Sequence, residues 1–298
     1  MKLHKPVLLE ETLKLLDIKS GEVVIDLTAG YGGHAEEILG LLGVNGRLIL
    51  VDRDLEAISA LRSKFQAYSN VEFLHSNFLD LNWSKVGKAD RILMDLGVSS
   101  PQLDQPQRGF SFSKEAKLDM RMDQSQALSA SQVVNEYTEE DLANLIYQFG
   151  EEPRSRQIAR AIVTQREVSP IETTKQLADI VSKCLPANPR VHPATRTFQA
   201  IRILVNQELE NLTKTLPQAT RHLNENGRLA VISFHSLEDR IVKQYFKAIV
   251  TPVKDIVTGN VISSPNFRLI NKKPIKGSIN DNNPRARSAK LRLVEKIK

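Results

Sequence analysis

Through the first third of the chain, short β-branched runs alternate with segments whose apolar residues recur at helical spacing. Val23-Val24-Ile25 reads as a buried strand ending at Asp26, and Arg47 to Val51 as a second ending at Asp52. Val71 to Leu74 and Arg91 to Met94 supply a third and a fourth. Between them, His34 to Leu42 and Leu55 to Phe65 predict helices, the second with Ile58, Leu61 and Phe65 on one face. Strand, helix, strand in repetition predicts parallel strands with right-handed crossovers, the doubly wound α/β class.

After Asp95 the pattern changes. From about Gln107 to Ala200 no strand is evident, only helical segments interrupted by Pro153, Pro170, Pro186, Pro189 and Pro193. A β pattern returns at Gly227 to Ser233, followed by a helix from about Leu237 to Ile249 and a last strand at Leu291 to Val294. Four strands seldom complete a doubly wound sheet, so the expected organisation is one discontinuous domain, 1–106 with 200–298, and an inserted helical domain, 107–199. Two sequential domains are the alternative.

The strongest local signal is Asp26-Leu-Thr-Ala-Gly30-Tyr-Gly32-Gly33-His34, which follows the first strand and opens the first helix. Glycines there permit a sharp turn and close approach of a ligand to the backbone. Asp52 lies 20 residues after Gly32, where an acid accepts hydrogen bonds from ribose hydroxyls. Two details favour S-adenosylmethionine over a dinucleotide. The spacing is not G-x-G-x-x-G, and Asp26 at the mouth of the loop repels a pyrophosphate but attracts an ammonium or sulfonium group. The alternative is a ligand-free turn in which Asp26 accepts from local backbone.

Phe78 after the third strand is a candidate for an adenine face, with core packing as its alternative. Asp95-Leu-Gly97-Val-Ser99-Ser100-Pro101 places an acid, a glycine and two hydroxyls at the carboxyl end of the sheet, where ligands bind in open α/β folds. Attack at carbon 5 of a pyrimidine generally needs a cysteine nucleophile. Cys184, the single cysteine, stands between Lys183 and Leu185 with no activating neighbour. An exocyclic amine fits better, since it needs only acceptors to orient its lone pair and take a proton, and Asp95 is the expected acceptor. His235, in Ser233-Phe-His235-Ser236-Leu-Glu238-Asp239, is a second catalytic candidate, a packed histidine being the other reading. Ser236 and Asp239 have capping-box spacing. The histidines lack metal-motif spacing, so no metal is expected.

Charge adds an anionic partner. The net charge is +6, and from Asn266 to Lys298 ten basic residues face two acids, leaving a near-neutral body. Arg285, Arg287 and Lys290 suit phosphate contacts, while Arg108, Phe110 and Phe112 interleave a cation with two aromatics in the manner of surfaces that stack on unpaired bases. A solvated tail and burial at the domain junction are the respective alternatives. With 41% hydrophobic and 26% charged residues the composition is that of a globular protein. No apolar run approaches the ~20 residues that span a bilayer, and the amino terminus has no secretion signal, so a cytoplasmic location is expected.

Several of these strings are long and unusual, and together they resemble the bacterial RsmH (MraW) family of small-subunit ribosomal RNA methyltransferases. The likeness runs through His4-Lys-Pro-Val, Asp26 to His34, Asp95 to Asp104, Arg108 to Phe112, Leu118 to Asp123, His192 to Gln199, Ser233 to Arg240 and Asn283 to Lys290. It implies a Rossmann-like methyltransferase sheet with a helical insertion, S-adenosylmethionine as donor, and N4-methylcytidine in the P-site decoding region of 16S rRNA as product. Carried over by motif, cofactor contacts fall on Gly32, Gly33, His34, Asp52, Phe78, Asp95 and Gln102; Asp26 and Gly30 join them from the loop itself. Ala116-Lys117 stands where the family usually has Gly-Pro, and Gly277-Ser-Ile-Asn280 where many relatives are more acidic. A dehydrogenase using NAD and a non-catalytic RNA-binding factor are the competing classes. Titration with both cofactors separates the first, and the intact Asp26, Asp52 and Asp95 set speaks against the second. The choice of naked rRNA or assembled subunit as substrate, and of monomer or homodimer, stays open.

Overall fold

The structure, a computed structural model, describes residues 6–186, 192–255, 258–278 and 283–298. His4, Lys5, Pro189 and Asn280, named above, lie outside the described residues. The chain divides into two compact units, Met1–Gly97 with Leu209–Lys298, and Val98–Glu208.

The first unit opens with α1 (Leu9–Leu16), β1 (Val23–Asp26), α2 (Gly33–Leu42), β2 (Arg47–Asp52), α3 (Leu55–Lys64), β3 (Val71–His75), α4 (Trp83–Val86) and β4 (Ala89–Asp95). The second holds α5 (Ser100–Asp104), α6 (Ala130–Glu136), α7 (Glu139–Gly150), α8 (Ser155–Val168), α9 (Thr174–Cys184) and α10 (Thr195–Asn206). The chain then returns through α11 (Glu208–Arg221), β5 (Leu223–Ser233), α12 (Ser236–Val250), β6 (Val253–Lys254), β7 (Val261–Ser263), β8 (Phe267–Leu269), β9 (Ile275–Lys276) and β10 (Lys290–Lys296).

The main sheet has the order β3-β2-β1-β4-β5-β10-β8, with β9 also on β10. β1 to β5 pair in parallel, whereas β10 is antiparallel to β5, β8 and β9. This is a Rossmann-like sheet, parallel through β5 and antiparallel beyond it, with an inserted helical region. The alternation of side chains along each strand explains why both faces are covered. Val24, Leu48, Leu50, Leu93 and Ile232 join Ile38, Ile58 and Leu61 of α2 and α3 on one face. Ile25, Ile49, Val51, Ile92, Met94 and Val231 join Leu212, Leu216, Val242 and Phe246 of α11 and α12 on the other.

The sequence pattern misses several features, three of which bear on the sheet and the helix leading into it. β5 begins at Leu223 and runs through the polar stretch Asn224-Glu225-Asn226, made possible by a register shift against β4 between Ala89 and Arg91. α11 continues across Pro217. β8 and β9 are only three and two residues long, too short to announce themselves.

The second unit has its own apolar core, drawn from Val133, Leu142, Ile146, Ile158, Ile162, Leu177, Phe198 and Ile201 among others. Cys184 belongs to it, buried, with its thiol 3.4 Å from the Ile180 carbonyl oxygen. Desolvation raises the thiol pKa, the opposite of an activated nucleophile.

Candidate active site

β1 is flanked by β2 on one side and β4 on the other, so the chain reverses its direction of winding between β1 and β4. In open α/β sheets the crevice beyond the carboxyl ends of the strands at such a switch point is where ligands bind. The three carboxylates singled out by sequence all end strands there: Asp26 closes β1, Asp52 closes β2 and Asp95 closes β4.

The loop after β1 is held by side-chain acceptors. Asp26 Oδ1 accepts the Thr28 N–H at 3.0 Å, and Asp52 accepts Gly30 N–H at 2.7 Å through Oδ2 and Asp54 N–H at 2.8 Å through Oδ1. Thr28 was not singled out by sequence; its hydroxyl accepts the Asp95 N–H at 2.6 Å. Gly30 and Gly32 have φ of 52° and 77°, in the left-handed region open to glycine. At Gly32 a Cβ would also lie 2.8 Å from Phe65 and 2.9 Å from Leu61, and at Gly33 it would lie 2.6 Å from Pro6. Gly32 is therefore required by packing as well as by the turn, and Gly33 by packing.

Electrostatically this edge gathers three desolvated carboxylates. Burial pushes Asp26, 2% exposed, up to about 7, and the neighbouring Asp95 and Asp52 carboxylates push the same way against the Thr28 hydrogen bond. Asp52 is raised to about 6, chiefly by desolvation. Asp95 is also raised by desolvation, with His34 and Arg285 opposing. His34 Nδ1 lies 3.6 Å from Asp95 Oδ2, and burial lowers the pKa of the imidazole. Asp95 Oδ1 and His34 Nε2 are buried with no hydrogen-bond partner among the described residues. Unmade bonds of this kind at a strand end call for a ligand with donors. A cationic ligand with hydroxyl and amine donors fits this donor and charge pattern; a dinucleotide pyrophosphate does not. Phe78 follows β3, partly buried against the apolar cluster of Leu81, Trp83 and Ile49.

The capping box read at Ser236 and Asp239 requires a correction, and it involves His235. Its Nδ1 accepts the Glu238 N–H at 3.4 Å and its Nε2 lies 3.2 Å from Glu238 Oε1, while Glu238 Oε2 accepts the N–H groups of Phe234 and His235 at 2.8 and 3.2 Å. The capping box of α12 is thus His235 with Glu238, one residue before the predicted Ser236 and Asp239. His235 thus caps α12 through Nδ1, while its Nε2 is buried without a hydrogen bond among the described residues. Asp239 instead binds Lys290 at 2.9 Å and Arg292 at 2.7 Å.

The residues expected to meet RNA fall into different settings. Arg108, 1% exposed, donates to the Met122 carbonyl oxygen at 2.9 Å within the helical unit, and Phe110 is part of that unit's core. Neither presents the open stacking surface inferred from sequence, because both are consumed in packing and in satisfying backbone carbonyls. Phe112 is partly buried and stacks on His192 at 4.4 Å. Gln102 takes part in the capping box of α5, its Oε1 accepting the Ser99 N–H at 2.9 Å. In the first unit Arg285 lies over the Phe234 ring at 4.5 Å, Arg287 is exposed, and Lys290 is held by Asp239.

Comparison with known proteins agrees with this geometry. Residues 1–297 match the MraW methylase family. The sequence is 47% identical over 305 residues to ribosomal RNA small subunit methyltransferase H of Clostridium botulinum (strain Kyoto / Type A2), covering 99% of each chain. It is 43% identical over 314 residues to the protein of the same description from Halothermothrix orenii, covering 99% of this chain and 98% of that one. A sheet with three carboxylates at its switch point and a match over its whole length place this chain in the MraW methylase family.

Proposed function

We propose that this protein transfers the methyl group of S-adenosylmethionine to the N4 amine of a cytidine in the P-site decoding region of 16S rRNA. The observation that carries this reading is the carboxylate edge formed by Asp26, Asp52 and Asp95, where the buried Asp95 Oδ1 has no hydrogen-bond partner among the described residues. The small-subunit rRNA is supported by the descriptions of the full-length relatives, and the particular base by the family resemblance of the motifs.

When bound, S-adenosylmethionine supplies a methyl group on a positively charged sulfur. Asp26, at the mouth of the loop, holds the cationic end of the donor, and Asp52 accepts from its ribose. The turn at Gly30, Gly32 and Gly33 keeps side chains out of the donor's path, and Phe78 borders the adenine. Asp95 accepts a hydrogen bond from the cytidine amine through the free Oδ1, orients its lone pair, and takes the proton released as the N–C bond forms. Desolvation makes this carboxylate a stronger base than one in water. His34, neutral at its buried position, lies beside Asp95 without neutralising it. Arg285 places a cation at the same edge for the RNA backbone, and no thiol is needed for attack by an exocyclic nitrogen.

The test is transfer of labelled methyl groups onto small-subunit particles and onto free rRNA, followed by nucleoside analysis. Label in N4-methylcytidine is expected. Label in any other nucleoside, or none with either substrate, overturns the proposal.

A further inference from the structure

The first unit has a second concave feature on the same edge of the sheet. A cleft of about 260 Å³ is lined by Phe234, Ser236, Lys276, Arg287, Ser288 and Lys290, among other residues. Its position follows from strand register. Asp95 of β4 is opposite Ile232 of β5, and the next residue of β5, Ser233, is opposite Lys290 of β10. Lys290 is therefore two strand spacings from Asp95, roughly 10 Å between backbones. Phe234 connects the two places: it lines the cleft, carries Arg285 on its face at 4.5 Å, and lies 3.5 Å from the Cβ position of Gly97 just beyond β4.

Among the described residues the positive charge at this cleft exceeds the negative. Lys276 and Lys290 are direct cross-strand partners on antiparallel β9 and β10, an arrangement of like charges that costs stability. Asp239 binds Lys290 but binds Arg292 as well, so that trio keeps one net positive charge. Lys276 and Arg287 are exposed and form no ion pair among the described residues. Glu238, at the start of α12, turns its carboxylate to the Phe234 and His235 N–H groups. Two lysine point charges and one guanidinium fork around a small concavity match a phosphodiester.

We propose that this cleft binds one backbone phosphate of the substrate RNA, at or next to the target nucleotide, with Lys276 and Arg287 as its direct contacts. Asp239 positions Lys290 beside them. The bound phosphate sets the register of the strand, so that one base is presented at Asp95. This inference rests on the RNA-methylating function proposed above.

The experiment measures binding of a small-subunit rRNA fragment over a range of salt concentrations. It compares the wild type, Lys276→Ala with Arg287→Ala, and a control of equal charge change, Lys272→Ala with Lys273→Ala, whose exposed lysines lie outside the cleft. The cleft variant is expected to bind RNA about tenfold more weakly and to lose about 0.7 from the log–log salt slope, the share of one phosphate on a single strand. Its affinity for S-adenosylmethionine and its thermal stability without RNA should not fall, since the substitution relieves repulsion. The control should change affinity by less than threefold. Equal losses in both variants would overturn the cleft while leaving the methyltransferase reading standing; a wild type that neither binds nor methylates the RNA would overturn that reading itself.

Discussion

The Thr28 hydroxyl accepts the backbone N–H of Asp95 at 2.6 Å and lies 3.4 Å from Asp26 Oδ1. One side chain thus links the acid assigned to the donor with the acid assigned to the acceptor, and ties the loop after β1 to the end of β4. Replacing it with the isosteric valine leaves the Asp95 N–H without a partner, a loss of about 1–3 kcal/mol. Thr28→Val should lower the melting temperature by several degrees and weaken both donor binding and turnover, whereas Thr28→Ser should restore them. Wild-type behaviour of the valine variant in calorimetry and transfer assays would remove Thr28 from the site.

Asp26 gives the ligand-free protein an unusual pH response. Its pKa rises from the ordinary 3.8 to about 7 in the fold, so between these values the native state binds more protons than the unfolded chain and stability falls as pH increases. The difference amounts to roughly 4 kcal/mol at the top of the window. Asp26→Asn should therefore gain on the wild type in thermal melts as pH rises from about 4 to 7. A cationic donor favours the ionised carboxylate, so wild-type affinity should increase over pH 5.5 to 7.5 with release of a proton, measurable by calorimetry in buffers of different ionisation heat. A flat affinity with no proton release would mean that Asp26 does not face the donor's charge.

Gly32 combines a φ of 77° with a Cβ position 2.8 Å from Phe65. Gly32→Ala should cost about 1–3 kcal/mol through strain and overpacking and weaken donor binding at least tenfold. Preserved melting temperature and affinity would show that the loop yields more readily than this packing implies.

His235 separates capping from catalysis. Asparagine is a good N-cap and has no imidazole, so His235→Asn should keep both stability and the rate of transfer. His235→Ala should lose about 1 kcal/mol of stability with the pH profile of transfer unchanged. A drop of more than a hundredfold in single-turnover rate for the asparagine variant, at full stability, would make the ring a proton carrier.

The parts of this fold that were legible in the sequence are those set by local pattern. The apolar runs ending at Asp26, Asp52 and Asp95 became β1, β2 and β4, and the glycines between Asp26 and His34 became the turn. What escaped depends on partners distant in the chain. The cap of α12 slid from Ser236 to His235 because Glu238 could bind back to Phe234 and His235. Arg108 and Phe110 looked like a stacking surface but fill the core of the helical unit. The excess charge of the carboxyl-terminal segment is also partly absorbed, with Arg268 and Arg228 on Glu295 and with Lys290 and Arg292 on Asp239. Thr28 gave no signal, since a threonine in a turn ordinarily bonds only its own neighbours.

The most direct test of the central claim is single-turnover methyl transfer by Asp95→Asn at saturating S-adenosylmethionine and small-subunit RNA. Removing the proton acceptor while keeping its shape should slow formation of N4-methylcytidine by about 10²–10⁴-fold, with the variant folded and still able to bind donor. A rate within a few fold of the wild type would contradict the account and assign the proton to another group.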